Sequence, residues 1–404
     1  MVTKNQQMIS LKEALNIATK YTKILGTEDV NFSDSLGRVL AEDIYSDVDM
    51  PPFNKSAMDG YACKKEDIGK ALEVLEIIPA GNSPTKIVGQ GQCSKIMTGA
   101  EVPEGADTVI MVEFTEENEN GKIVFAGSKT SSNICLTGED LKKGDLVLNK
   151  GILLEPQHIA MLASVGCTSP KVYQQPSIGI ISTGSELIEP HESITEAKIR
   201  NSNGPQMVAQ AKKMGLPVNY YGIVADDQQQ TLKKIKKSTE ENDLTLVSGG
   251  VSVGDFDFVP WAIKEVGFEI LFNKIAVKPG MHTTFAIEKE KGLEKEKYII
   301  GLPGNPVSSF IQFEIFAKEV IYKLMGITKK QILIPMEMKE DFTRGKTNKE
   351  ELIPISLDTE NKVERIIYNG SAHIHAYHDA FGVISIAMGK QVIKKGEIVY
   401  VRPL

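Results

Sequence analysis

The sequence predicts a multidomain protein of the α/β plus β class, combining a doubly wound, mostly parallel α/β domain with an inserted β domain, a small discontinuous helical domain and a C-terminal β-barrel. Three observations predict it. Residues 172–327 alternate short apolar runs with helical patterns, 71–148 break into β-rich runs between Gly, Pro, Asn and Ser turns, and the tail from 328 returns to short strands. With 404 residues, 41% of them hydrophobic and 25% charged, the chain has material for several cores. No apolar run reaches the roughly 18 residues of a membrane span.

The elements follow in order. Ser10-Leu11-Lys12-Glu13 reads as a capping box ahead of Leu11, Ala14, Leu15 and Ala18 at helical spacing, so a polar amino terminus leads into an amphipathic helix rather than a secretory leader. A second helix is expected over 155–166, with Pro156 in its first turn. Pairing the two gives a discontinuous helical domain of residues 1–45 and 142–171. The inserted β domain spans 46–141, with strands at 71–78, 108–112 and 122–125. In the α/β domain, 172–327, strands at 177–182, 218–224, 244–247 and 298–301 alternate with helices at 204–214, 228–240 and 306–325. The small barrel occupies 328–404, with strands at 383–387 and 397–401.

Charge and cysteine usage exclude some functions. A net charge of −7 argues against a general nucleic-acid binder, although a locally basic pocket for a small anion is compatible with it. Cys63, Cys93, Cys135 and Cys167 contain no CxxC pair and read as reduced structural thiols. Nothing points to a membrane. The expected home is the cytoplasm.

Candidate chemistry gathers on loops. In Pro51-Pro52-Phe53-Asn54-Lys55-Ser56-Ala57-Met58-Asp59-Gly60-Tyr61-Ala62 a double proline, small residues and Gly60 surround one carboxylate, Asp59, as on a rigid presenting loop. In an open parallel sheet the ligand crevice lies beyond the carboxyl ends of the strands. Those ends carry Ser182-Thr183-Gly184-Ser185-Glu186, Ala225-Asp226-Asp227, a loop from Ser248-Gly249-Gly250-Val251-Ser252 to Asp257, and Leu302-Pro303-Gly304-Asn305-Pro306. The two glycines with Ser248 and Ser252 read as an anion cradle, and no nucleotide P-loop or dinucleotide fingerprint occurs. Glu186, Asp226 and Asp257, from three strand ends, are expected to converge as oxygen ligands for Mg²⁺ alongside substrate phosphates. Lys274 and Lys278, four apart on an extended segment, are expected on one face as anion-binding cations. Thr98 opens a tight polar turn, and Gly138-Glu139-Asp140 offers another carboxylate loop. His373, His375 and His378 fit a surface strand and turn better than a zinc site.

These motifs, with Thr98-Gly99-Ala100, Lys278-Pro279-Gly280 and Gly301-Leu302-Pro303-Gly304-Asn305-Pro306-Val307, stand in an order that resembles the molybdopterin molybdenumtransferases, the MoeA family, whose eukaryotic relatives include the E domain of gephyrin. The resemblance covers about residues 8–404. It implies insertion of molybdenum from molybdate into adenylylated molybdopterin, with Mg²⁺-dependent release of AMP. By motif it implies active-site roles for Asp59, Thr98, Asp140, Glu186, Asp226, Asp257, Lys274, Lys278 and Ser371, with substrate contacts from Ser182, Thr183, Gly184, Ser248, Gly249, Gly250, Ser252, Pro303 and Pro306. It further implies a homodimer with sites in clefts shared between subunits, and an adenylyltransferase that supplies the substrate. This chain departs from the family pattern twice. Met281-His282 stands where Lys-Pro is usual after Lys278-Pro279-Gly280, and an expected C-terminal arginine has no clear match, leaving Lys349 or Arg344 to substitute. The rival readings are a peptide-binding scaffold of the gephyrin type and another pterin or nucleotide phosphohydrolase.

Overall fold

The computed structural model describes residues 8–252, 257–289, 296–327, 332–367 and 370–404. Its contacts divide into two compact units. One comprises Met1–Ala41, Gly151–Glu155 and Lys171–Leu404, and the other Glu42–Lys150 and Pro156–Pro170.

In the larger unit helix α1 (Leu11–Tyr21) starts at Ser10, whose hydroxyl accepts from the Glu13 N–H at 3.2 Å, and it buries Leu11, Ala14 and Ala18 in the main core. That core includes the sheet. Strand β1 (Ile178–Thr183) is flanked in parallel by β2 (Val218–Val224) and β3 (Leu244–Ser248), with helices α2 (Asn203–Lys213) and α3 (Gln228–Glu241) as the intervening crossovers. Helix α4 (Val259–Glu265) leads to β4 (Phe268–Phe272), and the chain continues through the two-residue β5 (Val277–Lys278) to β6 (Thr284–Glu288) and β7 (Tyr298–Leu302). The sheet order is β2-β1-β3-β7-β6-β4, parallel up to β7 and antiparallel beyond. Alternation along β1 explains the two faces: Ile178 and Ile180 point into a core shared with α1, while Ile181 packs with Val247, Ile235 and Ala262 on the other side. The doubly wound expectation holds.

The helix expected over 306–325 is built in three parts. Helix α5 (Pro306–Gln312) passes through a π turn, Phe313–Ala317, into α6 (Lys318–Leu324). The wider turn accommodates a stretch in which Phe313, Glu314, Ile315, Phe316 and Ala317 are all buried.

The last strands are β8 (Ile334–Glu337), β9 (Glu350–Leu357), β10 (Val363–Arg365), β11 (Gly382–Ile386) and β12 (Ile398–Pro403). Their ladder path is β5-β9-β11-β12-β8, with β10 on β9, over a core that includes Ile353, Ile355, Ile384 and Val401. Just past β8, Met338 bridges Val363 of β10 and the Lys339 N–H meets the Val363 carbonyl at 3.0 Å, so the ladder turns back on itself as a small barrel requires. Its first position is taken by β5, which arrives from the α/β region and pairs in parallel with β9.

The smaller unit is a four-stranded sheet ordered Glu73–Ile78, Gln92–Ile96, Gly60–Cys63, Thr108–Met111, with Tyr61 and Cys63 in one core cluster and Ala62 in another. The strand expected near 122–125 is Ile123–Phe125, paired with Thr115–Glu117. Helix Pro156–Ser164 also belongs to this unit. Because α1 buries its apolar face in the α/β core instead, the expected pairing of these two helices in a discontinuous domain is corrected. No helix among the described residues is long and apolar enough to cross a membrane.

Candidate active site

The larger unit holds a cavity of about 430 Å³ where the β5 segment, the loop after β7 and the C-terminal strands meet. Lys278, Pro279, Gly280, Met281, His282, Pro303, Asn305, Ser308, Lys349, Glu351, Arg365 and Ser371 line it. A second cavity of about 630 Å³ shares Lys278, Lys349, Glu351 and Arg365 and extends along Thr343 to Asn348. In a chain of net charge −7 these walls are locally cationic. Such a cleft suits a small oxyanion.

Each cation is held differently. Lys278 lies in β5 opposite Glu351, and its Nζ meets Glu351 Oε1 at 2.8 Å while the lysine side chain stays 68% exposed. Lys349 reaches Met281 Sδ at 2.9 Å, so the wall at position 281 is apolar sulfur with an ammonium beside it. Arg365 lies over the Phe342 ring, 4.9 Å from its centre. Arg344 is spent structurally: it is buried, donates to the carbonyls of Lys390, Lys349 and Ala387, and lies 3.8 Å from Glu351 Oε2. Of the two suggested substitutes, Lys349 is the one that lines both cavities with its head group uncommitted to a carboxylate. Burial lowers the pKa of His282 below its ordinary 6.5, with Lys274 and Lys349 acting in the same direction and Asp257 opposing. The imidazole is thus neutral at pH 7, a hydrogen-bonding group rather than a fixed charge.

Lys274 does not join Lys278 on the cavity wall. A tight turn, with the Val277 N–H on the Ile275 carbonyl at 2.8 Å, interrupts the extended segment that the same-face argument requires. Ser371 does line the cavity. Its hydroxyl accepts from Asn305 Nδ2 at 2.9 Å, and its carbonyl accepts from the Val307 N–H at the start of α5, where Pro306 is the first helical residue.

The strand-end loops are more self-contained than the sequence suggests. The Ser248 hydroxyl accepts from Asn203 Nδ2 at 2.7 Å and donates to the Pro303 carbonyl at 3.4 Å, and the Gly249 N–H is bonded to the Leu302 carbonyl at 3.1 Å. A Cβ at Gly249 would lie 2.4 Å from the Thr183 carbonyl oxygen, so glycine is needed there for close strand packing. These two donors are therefore unavailable as an anion cradle. Gly250 packs against Thr183 in the same way, and of the rest of that loop Ser252 is half-buried while 253–256 lie outside the described residues. Ser182 and Thr183 are buried at the end of β1, and the Glu186 carboxylate folds over Gly184, where a Cβ would meet Oε2 at 2.5 Å.

The three acids do not make a magnesium site among the described residues. Asp226 Oδ2 accepts from the Ser185 N–H at 2.9 Å, and the Ser185 hydroxyl accepts from the Asp226 N–H at 2.8 Å, a reciprocal clasp between two strand ends. Asp227 is the N-cap of α3, accepting from the Gln230 N–H at 2.7 Å. Asp257 is near enough to His282 to influence its titration, and among the described residues no group of three or more such ligands forms. A Mg²⁺ at these strand ends would therefore rest on one or two carboxylates completed by substrate phosphates. His373 caps a single helical turn, Ile374–Tyr377, rather than lying on a strand, and His378 pairs with Asp379 at 2.6 Å.

In the smaller unit Asp59 Oδ1 accepts from both the N–H of Thr98 at 2.6 Å and its hydroxyl at 2.7 Å. These bonds lower the carboxyl pKa below 3.8, so Asp59 is ionised across the neutral range. The next residue must be glycine, because a Cβ at Gly60 would sit 2.0 Å from the Ile110 carbonyl oxygen. Asp140 is exposed on its own turn, with its N–H on the Met50 carbonyl at 3.0 Å.

Comparisons of sequence show the family. Residues 9–166 match the family model described as MoeA N-terminal region (domain I and II), and 179–323 match the probable molybdopterin binding domain. A molybdopterin molybdenumtransferase of Staphylococcus epidermidis is 39% identical over 353 residues, covering 85% of this chain and 83% of that protein. The chain belongs to the molybdopterin molybdenumtransferase (MoeA) family. A Staphylococcus aureus protein of the same name is also 39% identical over 353 residues. Among solved structures, a molybdopterin biosynthesis MoeA protein of Pyrococcus horikoshii OT3 superimposes with a TM-score of 0.83 at 30% identity, covering 98% of this chain and all of that one. This MoeA-family chain therefore has the multidomain α/β fold of its relatives. Arg365 and Glu351 line the candidate cleft and were missed by sequence reasoning. Only the charge of Arg365 and Glu351 in otherwise β-forming runs offered a signal.

Proposed function

We propose that this protein acts in molybdenum cofactor biosynthesis, inserting molybdenum from molybdate into the dithiolene of adenylylated molybdopterin as AMP is hydrolysed from the pterin phosphate. The observation that carries the reading is the cationic cleft of Lys278, Lys349 and Arg365 in a chain of this family. Molybdate is a tetrahedral dianion, and these cations with the Ser371 and Asn305 polar groups suit its four oxygens. Neutral His282 can donate to an oxygen or accept a proton without adding fixed charge. Ionised Asp59 suits a pterin N–H, and its rigid seat on Thr98 keeps it oriented. We further propose that the protein works in the cytoplasm as a homodimer, receiving its substrate from an enzyme that attaches the adenylyl group. The reading is tested by expressing the chain in a bacterial strain that lacks its own molybdenumtransferase. Restored activity of a molybdoenzyme is the expected result, and a persistent deficiency despite well-folded protein overturns it.

A further inference from the structure

Resting on the oxyanion reading of the cleft, the structure assigns a positioning role to two buried residues that line neither cavity, Gln312 and Thr283. We propose that they clamp the segment Lys278-Pro279-Gly280, one from helix α5 and one from the loop that follows the segment, and so fix where the Lys278 ammonium stands. Gln312 is the last residue of α5 and fully buried, and its Nε2 donates to the Pro279 carbonyl at 3.2 Å. Thr283 is also fully buried, and its hydroxyl donates to the next carbonyl, that of Gly280, at 2.9 Å. Two consecutive carbonyls are thereby bound, one by a residue three positions on and the other by a distant helix.

The fit around Gly280 is close. With φ at +103° and a built Cβ only 2.4 Å from both Cγ and Nε2 of Gln312, this position accepts no side chain. Gln312 lies one helical turn beyond Ser308, which lines the cleft, so one face of α5 serves the cavity and then supports its floor. A hydrophobic side chain would fill the Gln312 site at less cost, since Gln312 Oε1 is buried with no hydrogen-bond partner among the described residues. Retaining an amide there makes sense if the bond to Pro279 is what the position supplies. The Lys278 side chain is long and mostly exposed, held otherwise by Glu351 alone, so the backbone beneath it largely determines where its charge can reach.

The test measures molybdate binding calorimetrically to the full-length protein and to Gln312→Met, Thr283→Val, Lys278→Ala and the Lys278→Ala/Gln312→Met double variant. Met keeps the length of Gln and Val the shape of Thr, each losing only the donor. Both single clamp variants are expected to bind about tenfold more weakly with an unchanged unfolding midpoint, and Gln312→Met is expected to change affinity less than about twofold once Lys278 is already Ala. Should Gln312→Met fail to fold, Thr283→Val carries the comparison. Clamp variants that bind as wild type, or an undiminished Gln312→Met effect in the Lys278→Ala background, overturn the positioning role while leaving the oxyanion cleft standing. Failure of the wild-type protein to bind molybdate overturns the cleft reading itself, and this inference with it.

Discussion

Glu351→Gln is the perturbation that separates the electrostatics of the cleft from its architecture. Glu351 is 8% exposed, accepts from Lys278 at 2.8 Å and lies 3.8 Å from Arg344, whose side chain is 3% exposed. Breaking a fully buried pair costs about 3–5 kcal/mol. Here the lysine half is mostly in water, worth roughly 0.2–1 kcal/mol, and Arg344 keeps three backbone carbonyls, so a loss of stability of about 1–2 kcal/mol is expected. Ligand binding moves the other way. Removing one negative charge at roughly 7 Å from a dianion relieves about 1 kcal/mol at the dielectric of water and about 5 kcal/mol at an effective value of 20. An open cleft belongs near the lower figure, at ~1–2 kcal/mol, which is a gain in affinity of roughly five- to thirtyfold. Denaturant unfolding and molybdate calorimetry at low salt read the two effects separately. Unchanged or weaker molybdate binding by a folded Glu351→Gln protein refutes the assignment of this cleft to an oxyanion.

Other consequences follow from the same geometry. Lys278→Ala should weaken molybdate binding by at least about tenfold with little effect on unfolding, because its side chain is largely exposed; binding within twofold of wild type contradicts this. Asp59→Asn should fold normally yet turn over at least about thirtyfold more slowly, and a rate near the parental one removes Asp59 from the machinery. Since the folded-state pKa of Asp59 is lowered, its contribution to stability is complete above the ordinary 3.8 and lost as pH falls through the lower folded value; comparing acid unfolding of wild type and Asp59→Asn should show a stability difference that is present at neutral pH and disappears through that acidic window. Because the strand-end acids do not cluster, the substrate-free protein should bind Mg²⁺ only above about millimolar, and a tight stoichiometric site in a metal titration would show that the acids assemble after all.

Much of the scaffold was legible because burial imposes periodicity. The continuous apolar runs of β1, β3 and β7 and the amphipathic α1 are consequences of two-sided and one-sided burial, and both read directly from residue order. Partner choice was not legible. Nothing in Leu11, Ala14 and Ala18 says that they pack on the α/β sheet rather than on helix Pro156–Ser164, and a two-residue strand such as Val277–Lys278 carries no pattern by which its pairing with Glu350 and Glu351 could be foreseen. The same limit governs the site. Asp59 with Thr98 and Lys278 were found from motif chemistry and Ser371 from the family resemblance, but whether a donor is free depends on neighbours distant in sequence. Gly249 looked like an anion donor and is occupied by Leu302; Arg344 looked like a ligand cation and is spent on three carbonyls. Arg365 was invisible because its relevance comes only from lying across the cleft.

The central claim is that this chain transfers molybdenum to a pterin. The most direct measurement loads purified protein with adenylylated molybdopterin, adds molybdate, and quantifies AMP and the metal content of the released pterin by mass spectrometry in a single turnover. The account predicts one molybdenum per pterin and one AMP per molybdenum, both abolished in Lys278→Ala and Asp59→Asn. AMP released from a pterin that remains free of molybdenum would identify a phosphohydrolase and contradict it.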